Sequence, residues 1–316
     1  METSHIPVML EEVISYLAPR GEGELMVDAT LGEGGHSYAF LSRFQDLKII
    51  GIDADPVIQT IAKERLKEFG GRIRFYSCWA QDFFLAYPGE LKRPDAILID
   101  LGISRFHYEK SGRGFSFRKD EPLDMRLNLE SSRNAAELIN RLGERELADL
   151  LYLNAEERYS RRIARSIVEV RKRGAIRSSR ALAELVEAAV PPPYRRGPVH
   201  PATKTFQALR IAVNGELARL DGLLAGALES LAPGGRLGVI SFHSLEDRVV
   251  KVFFRQKGGL CNSPPETPIC RSGSSYTLRI LTPKGIPPGR AEIRKNGASR
   301  SARLRVVEKV CDKVER

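Results

Sequence analysis

Cysteine is scarce in this chain. Cys78, Cys261, Cys270 and Cys311 are the only four in 316 residues, and none forms a Cys-x-x-Cys pair. Neither a disulfide framework nor a zinc site fits that spacing, which suits a reducing compartment, so a cytoplasmic protein without a metal is expected. No apolar run approaches the length of a membrane span, and no basic segment precedes an apolar one at the N-terminus. Neither a transmembrane helix nor a signal peptide is therefore expected. There is one tryptophan, Trp79, and no internal repeat. Acidic side chains are in the minority, 40 against 50 Lys and Arg, which leaves a formal net charge of +10. That balance points to a polyanionic partner, with nucleic acid ahead of a membrane surface because no amphipathic anchor is evident. With 42% hydrophobic residues, the chain is long enough for a large core and two domains.

The segment that organises the rest is Val27-Asp28-Ala29-Thr30-Leu31-Gly32-Glu33-Gly34-Gly35-His36, followed by Lys48 to Asp53. It reads as a buried strand, a glycine loop, a helix start and a second strand ending in a carboxylate. Gly32, Gly34 and Gly35 allow a sharp turn and close approach of backbone to a ligand. At the tip of the Ile-rich second strand, Asp53 can accept hydrogen bonds from the two hydroxyls of a ribose. The dinucleotide fingerprint, however, lacks its last member: Ser37 stands where a third small residue should let the helix pack on the strand. Glu33 would also sit poorly beside a phosphate. S-adenosylmethionine carries no phosphate and its sulfonium is positive, so Asp28 and Glu33 are compatible with it.

The remaining pattern is that of an open α/β sheet. Asp55-Pro56 starts a helix with Val57, Ile58, Ile61, Leu66 and Phe69 on one apolar face, and Ile73 to Tyr76 is the third strand. Trp79, just after it, is either a neighbour of an adenine or part of the core. Ala96 to Asp100 is the fourth strand, placing Asp100 at the same edge as Asp28 and Asp53, where such sheets bind ligands. From about 105 to 205 the alternation stops, with helices expected over Glu137–Leu153, Glu156–Arg173 and Ser179–Val190. A long helix from Thr203 to Leu231 leads to a fifth strand, Leu237–Ser241, and then a helix from Ser244 to Arg255. Tyr276–Leu281 and Leu304–Val307 are candidate closing strands. The sheet thus resumes after a helical insertion, and the core is discontinuous in sequence.

Several further clusters are unusual for plain scaffold. Phe115 and Phe117 in the stretch GRGFSF can stack on an unpaired base while Arg113 or Arg118 holds phosphate, or the loop simply packs. Lys204 and the threonines opening the helix at 203 suit an anion, with Thr203 as a plain N-cap the alternative. His243 either positions substrate or bonds its own loop. Two basic surfaces stand out: Arg158, Arg161, Arg162 and Arg165 at helical spacing, and residues 284–316 with ten basic against four acidic side chains. RNA backbone contact is expected for at least one of them.

The stretches HIPVMLEEV, DATLGEGGHS, GID, DLGIS, GRGFSF, PLDMR, HPATKTFQALRIAVN and LAPGGRLGVISFHSLEDR, spread over residues 5 to 248, resemble the bacterial ribosomal RNA small-subunit methyltransferase H family. The resemblance implies an α/β, Rossmann-like class I methyltransferase fold: a first part over 1–104, a helical inserted domain over 105–205 that recognises substrate, and a second part over 206–316 with a basic C-terminal region. It implies methylation of the exocyclic N4 of a small-subunit (16S) ribosomal RNA cytidine by S-adenosyl-L-methionine, with ribosomal RNA in the small subunit as partner. The cofactor contacts carried over are Gly34, Gly35, His36, Asp53, Ala80 beside Trp79, Asp100 and His107. Two positions depart from the family pattern. Ala80 stands beside Trp79 where an aromatic is common, and Ser104-Arg105-Phe106-His107 stands where Ser-Ser-Pro-Gln is usual, so that His107 replaces a Gln. Asp100, Ser104 and Phe106 are the expected catalytic residues: an acceptor must take the amino N–H and localise the nitrogen lone pair, and an aromatic must hold the base out of its stack. A DNA amino methyltransferase and a non-catalytic ribosome assembly factor are the alternatives, and monomer or homodimer stays open.

Overall fold

A computed structural model describes residues 7–130, 133–258 and 278–310. Cys261, Cys270 and Cys311, the proline-rich loop and the last six residues lie outside those ranges. The chain divides into two compact units, Met1–Gly102 with Arg219–Arg316, and Ile103–Ala218.

In the first unit α1 (Leu10–Leu17) is followed by β1 (Leu25–Asp28), α2 (Gly35–Arg43), β2 (Lys48–Asp53), α3 (Pro56–Arg65), β3 (Ile73–Ser77), α4 (Ala80–Leu85) and β4 (Ala96–Asp100). The second unit holds α5 (Arg105–Glu109), α6 (Ala135–Arg141), α7 (Glu144–Ala155), α8 (Ser160–Arg171), α9 (Ser179–Ala189), α10 (Pro192–Arg195) and α11 (Thr203–Asn214). The chain re-enters the first unit along α12 (Glu216–Ser230) and finishes with β5 (Arg236–Ser241), α13 (Ser244–Lys257), β6 (Leu278–Ile280), α14 (Arg290–Lys295) and β7 (Arg303–Lys309).

The seven strands form one sheet in the order β3-β2-β1-β4-β5-β7-β6. Its first five members are parallel, with Val27 opposite Ile50 on one side and Ile97 on the other, and Ile97 opposite Leu237. β7 runs antiparallel to both β5 and β6. The central strands are apolar on both faces because helices cover both. Val27, Ile97, Ile99, Leu237 and Val239 pack with Phe83, Phe84, Leu224 and Phe254 of α4, α12 and α13. Met26, Leu98, Ile240 and Val306 pack with Val13, Leu17, Phe40 and Leu41 of α1 and α2. At about 1.5–3 kcal/mol for each fully buried large aliphatic side chain, these two layers dominate the stability of the unit.

Three elements differ from the sequence reading, each for a local reason. The helix expected from Thr203 to Leu231 is broken at Gly215, whose φ of 63° is left-handed and caps α11. The one expected over Glu137–Leu153 is split before Gly143, which opens α7 while Glu146 bonds back to its N–H at 2.8 Å. α8 begins at Ser160 rather than Glu156, because Glu156 itself is left-handed at φ 50° and ends α7. On α3, Val57 and Ile61 turn out exposed, and Gln59 is buried with Ile58 and Ala62, its amide donating to the Tyr76 carbonyl at 2.8 Å.

Candidate active site

β1 lies between β2 and β4, so the connections leaving β1 and β4 run in opposite directions and open a crevice at the carboxyl ends of those strands. Three carboxylates stand at these ends: Asp28 on β1, Asp53 on β2 and Asp100 on β4. The loop after β1 is pinned across them. Ala29 N–H donates to the Leu98 carbonyl, Leu31 N–H to Ile52, and Gly32 N–H to Asp53 Oδ2 at 2.8 Å. Asp55 N–H binds Asp53 Oδ1 at 2.9 Å, so two backbone donors fix the orientation of that carboxylate. Asp55 in turn caps α3 by accepting from Val57 N–H at 2.9 Å, with Pro56 at the first helical position.

Gly32 and Gly34 have φ of 53° and 75°, the left-handed conformation that the turn requires. The missing side chains also matter for packing. A Cβ on Gly34 would lie 2.8 Å from Leu66 Cδ1, and one on Gly35 would lie 2.8 Å from Pro7 Cγ. These glycines make room for the protein's own packing. Ser37, in the place of a third glycine, is fully buried and donates to Asp28 Oδ2 at 2.7 Å.

Asp28 is 2% exposed, and burial pushes its carboxyl above the usual range; the charge of Asp100 acts in the same direction, while His36 and the Ser37 hydroxyl oppose it. Asp100 Oδ1 accepts from Gly102 N–H at 3.0 Å and its own N–H donates to Thr30 Oγ1 at 2.6 Å, which ties the exit loop of β4 to the glycine loop. Gly102 cannot carry a side chain, since its Cβ would lie 2.7 Å from the Phe242 ring. His36 opens α2 beside these groups. It is buried, its Nε2 is 3.7 Å from Asp100 Oδ2, beyond hydrogen-bond length, and neither ring nitrogen has a hydrogen-bond partner among the described residues. Buried polar atoms are normally satisfied, so two orphaned nitrogens near Asp28 and Asp100 suit a polar, positively charged ligand. Glu33 lies within electrostatic reach of the half-buried Arg65.

Trp79 precedes α4 and lies outside both apolar clusters, with the Arg219 guanidinium 4.7 Å from its ring centre; Ala80 is buried. The thiol of Cys78 is pushed up by burial and by Asp82, away from reactivity. Sequence reasoning missed three participants. Thr30 was inside the quoted loop but not singled out. Arg219 and Glu292 carried no local signal: Glu292 of α14 accepts from Met9 N–H at 2.8 Å, holding Met9 at a left-handed φ of 56°.

The other expected site residues belong to the second unit. Ser104 caps the short α5, accepting from Phe106 N–H at 3.1 Å. His107 is buried with its ring 5.5 Å from Phe106 and 5.2 Å from Phe115. Phe115 is buried in the apolar cluster of this unit, which favours the packed-loop alternative over stacking on a base. Phe117 is likewise engaged, stacked on His200 at 4.4 Å and edge-on to Phe206 at 5.1 Å. Arg113 is buried too, and donates to the carbonyls of Arg126 and Leu127 at 3.1 Å, so it does not hold phosphate. Gly114, at φ 67°, lets the chain pass so close to Pro122 that a Cβ would lie 2.3 Å from its carbonyl oxygen. Asn214 completes this knot, donating to the Met125 carbonyl at 2.9 Å and accepting from Leu127 N–H at 2.8 Å. The GRGFSF, PLDMR and IAVN stretches are thus one another's folding partners.

Two other stretches resolve between the readings given for them. Thr203 is the first helical residue of α11 and no side chain caps that helix; Lys204 Nζ donates to the Glu156 carbonyl at 3.0 Å. His243 is structural, capping α13 by accepting from Glu246 N–H at 3.3 Å. Of the basic C-terminal region, Arg305 is buried in a two-pronged pair with Asp247 at 2.7 and 3.0 Å, and Lys309 donates to the carbonyls of Glu229 and Leu231. Among the described residues no group of His, Cys, Asp and Glu could hold a metal ion, and no helix is long and apolar enough to cross a membrane.

Known proteins match along nearly the whole chain. A ribosomal RNA small subunit methyltransferase H from Treponema denticola is 55% identical over 310 residues, covering 98% of each chain. Proteins of the same description from Borrelia turicatae and Treponema pallidum are 48% and 43% identical, covering 97% and 96% of this chain and 98% and 92% of theirs. Among solved structures, the N-methyltransferase NodS from Bradyrhizobium japonicum aligns at a TM-score of 0.42 with 9% identity over 95% of this chain and 85% of its own, too loosely to carry an argument. The model of the MraW methylase family matches residues 2–310, and the chain belongs to that family.

Proposed function

We propose that this protein transfers a methyl group from S-adenosyl-L-methionine to the exocyclic N4 of a cytidine in ribosomal RNA, with the small subunit as the context and the cytoplasm as the location. The observation that carries the reading is the set of Asp28, Asp53 and Asp100 at the ends of three neighbouring strands, with Asp28 and Asp100 near a buried His36 whose ring nitrogens have no hydrogen-bond partner among the described residues. Relatives described as ribosomal RNA small subunit methyltransferases support the substrate class.

When bound, the cofactor supplies an electrophilic methyl on a positively charged sulfur. The chain's own residues do the rest. Asp53 is oriented by Gly32 and Asp55 to accept from two vicinal hydroxyls, and the Gly34-Gly35-His36 turn, with Ala80 and His107, is assigned to the cofactor. The charges of Asp28 and Asp100 favour a cation in the crevice. The amino nitrogen of cytosine is a weak nucleophile because its lone pair is delocalised into the ring. Asp100, held by Gly102 and Thr30, is assigned to accept the amino N–H and localise that pair, so that catalysis is chiefly alignment together with one hydrogen bond. Ser104 and Phe106 are assigned to hold the target base.

The deciding experiment incubates the protein with labelled S-adenosylmethionine and small ribosomal subunits from cells lacking it. N4-methylcytidine at one site, read by nucleoside mass spectrometry, is the expected result; absence of product, or product on DNA instead, sinks the reading.

A further inference from the structure

Many arginines of the chain are held by carboxylates, and the exposed cluster on α8 is only partly so. Arg126, Arg210, Arg236 and Arg305 each pair with a carboxylate, as do Arg43 and Arg105 on the surface. On α8, Arg161, Arg162 and Arg165 are all exposed and line an open groove with Ser166, Glu169 and Ala189. Arg165 has a 3.3 Å partner in Glu144, whereas Arg161 and Arg162 have no ion pair among the described residues. The acid in the groove, Glu169, is engaged by Lys172 at 2.7 Å. The groove is therefore strongly cationic.

This arrangement is unfavourable for the helix alone. Arg161 and Arg162 lie in the first turn, where no acidic residue and no capping side chain is present and where cations oppose the helix dipole. Arg161 and Arg165, and Arg162 and Arg165, are like charges at the (i, i+4) and (i, i+3) spacings that repel. The base on which they stand is nonetheless rigid. The buried Glu157 accepts from Tyr159 N–H at 2.8 Å and from the Tyr194 hydroxyl at 3.1 Å, and burial followed by the Glu157 charge pushes that phenol up to about 12. Exposed guanidiniums without an ion pair among the described residues are available to an external anion.

We propose that the α8 groove is a docking surface for the phosphodiester backbone of ribosomal RNA outside the target nucleotide; this rests on the function proposed above. The planar forks of Arg161 and Arg162 match phosphate, and Arg165 follows about one turn, 5.4 Å, along the helix, so the face takes successive phosphates of one strand. No aromatic side chain lines the groove, so the contact is with backbone rather than bases.

The test uses the full-length protein and small ribosomal subunits, comparing wild type with the double variant Arg161→Glu/Arg162→Glu. The KM for subunits is expected to rise about tenfold and the log–log salt slope to fall by about two, one for each lost phosphate contact. Arg161→Lys/Arg162→Lys keeps the charge and is expected to retain most of the slope. Glutamates in a first helical turn favour the helix, so the melting temperature and the calorimetric affinity for S-adenosylhomocysteine confirm that the double variant is folded. An active wild type with unchanged KM and slope in the Glu variant overturns the docking surface and leaves the methyl transfer standing. A wild type that transfers no methyl to any ribosomal RNA removes the function on which the surface rests, which is a separate failure.

Discussion

In the first unit the loop after β1 leaves both nitrogens of a buried histidine without partners, whereas in the second the glycine- and arginine-rich stretches satisfy one another. Both regions read alike in sequence: glycines in positive φ, aspartates, a histidine, short polar runs. Their polar bookkeeping separates them. Arg113, Asp124, Arg126 and Asn214 close their hydrogen bonds inside the unit and so explain their own presence by folding. His36 does not, and an orphaned buried group in a native fold asks for a ligand. Thr205 Oγ1 on α11, buried and unpartnered, departs from the pattern of its unit.

That contrast can be broken by substitution. Asp100→Ala is expected to lower the methyl-transfer rate by about a thousandfold while the melting curve barely moves; a loss of activity that tracks unfolding would return Asp100 to the scaffold. In the second unit Gly114→Ala should do the reverse. Its Cβ meets the Pro122 carbonyl at 2.3 Å in a left-handed residue, so denaturant unfolding is expected to show a loss of about 2–4 kcal/mol, with activity falling only in proportion to the unfolded fraction. His36→Leu sharpens the comparison further. Calorimetry should find affinity for S-adenosylhomocysteine about tenfold weaker, yet stability equal or higher, because an unsatisfied buried polar group has been removed.

The smallest effect concerns pH. The Asp28 carboxyl is held above its unfolded value, so the folded state binds the proton more tightly. Its contribution is favourable below the unfolded value of 3.8 and is lost as pH rises through the folded value, leaving a penalty at neutral pH. Asp28→Asn, which can still accept from Ser37, is expected to melt above wild type at neutral pH and to converge with it toward acid. Parallel melting curves at all pH values would count against the charge assignment.

The sheet was legible because strand-type runs ending in Asp28, Asp53 and Asp100 are local patterns; the register was not, since strands apolar on both faces carry no alternation to fix it. The break at Gly215 was less so, since Leu209, Ile211, Leu217 and Leu220 keep a helical spacing through a residue that turns left-handed. The fates of Phe115 and Arg113 were illegible for another reason: an aromatic flanked by glycine and arginine suits a base and a packed loop equally, and only the approach of residue 114 to residue 122 decides. Glu292 and Met9 are 283 residues apart, beyond any windowed reading.

That last bond has a consequence for biosynthesis. The second unit is one continuous segment and can fold while the chain is still emerging. The first unit cannot: its sheet waits for β5 and β7, and the segment before α1 waits for Glu292 to secure Met9. The crevice at the ends of β1, β2 and β4 therefore matures only when nearly the whole chain has been made, so a truncated product would carry a folded helical unit and no competent centre.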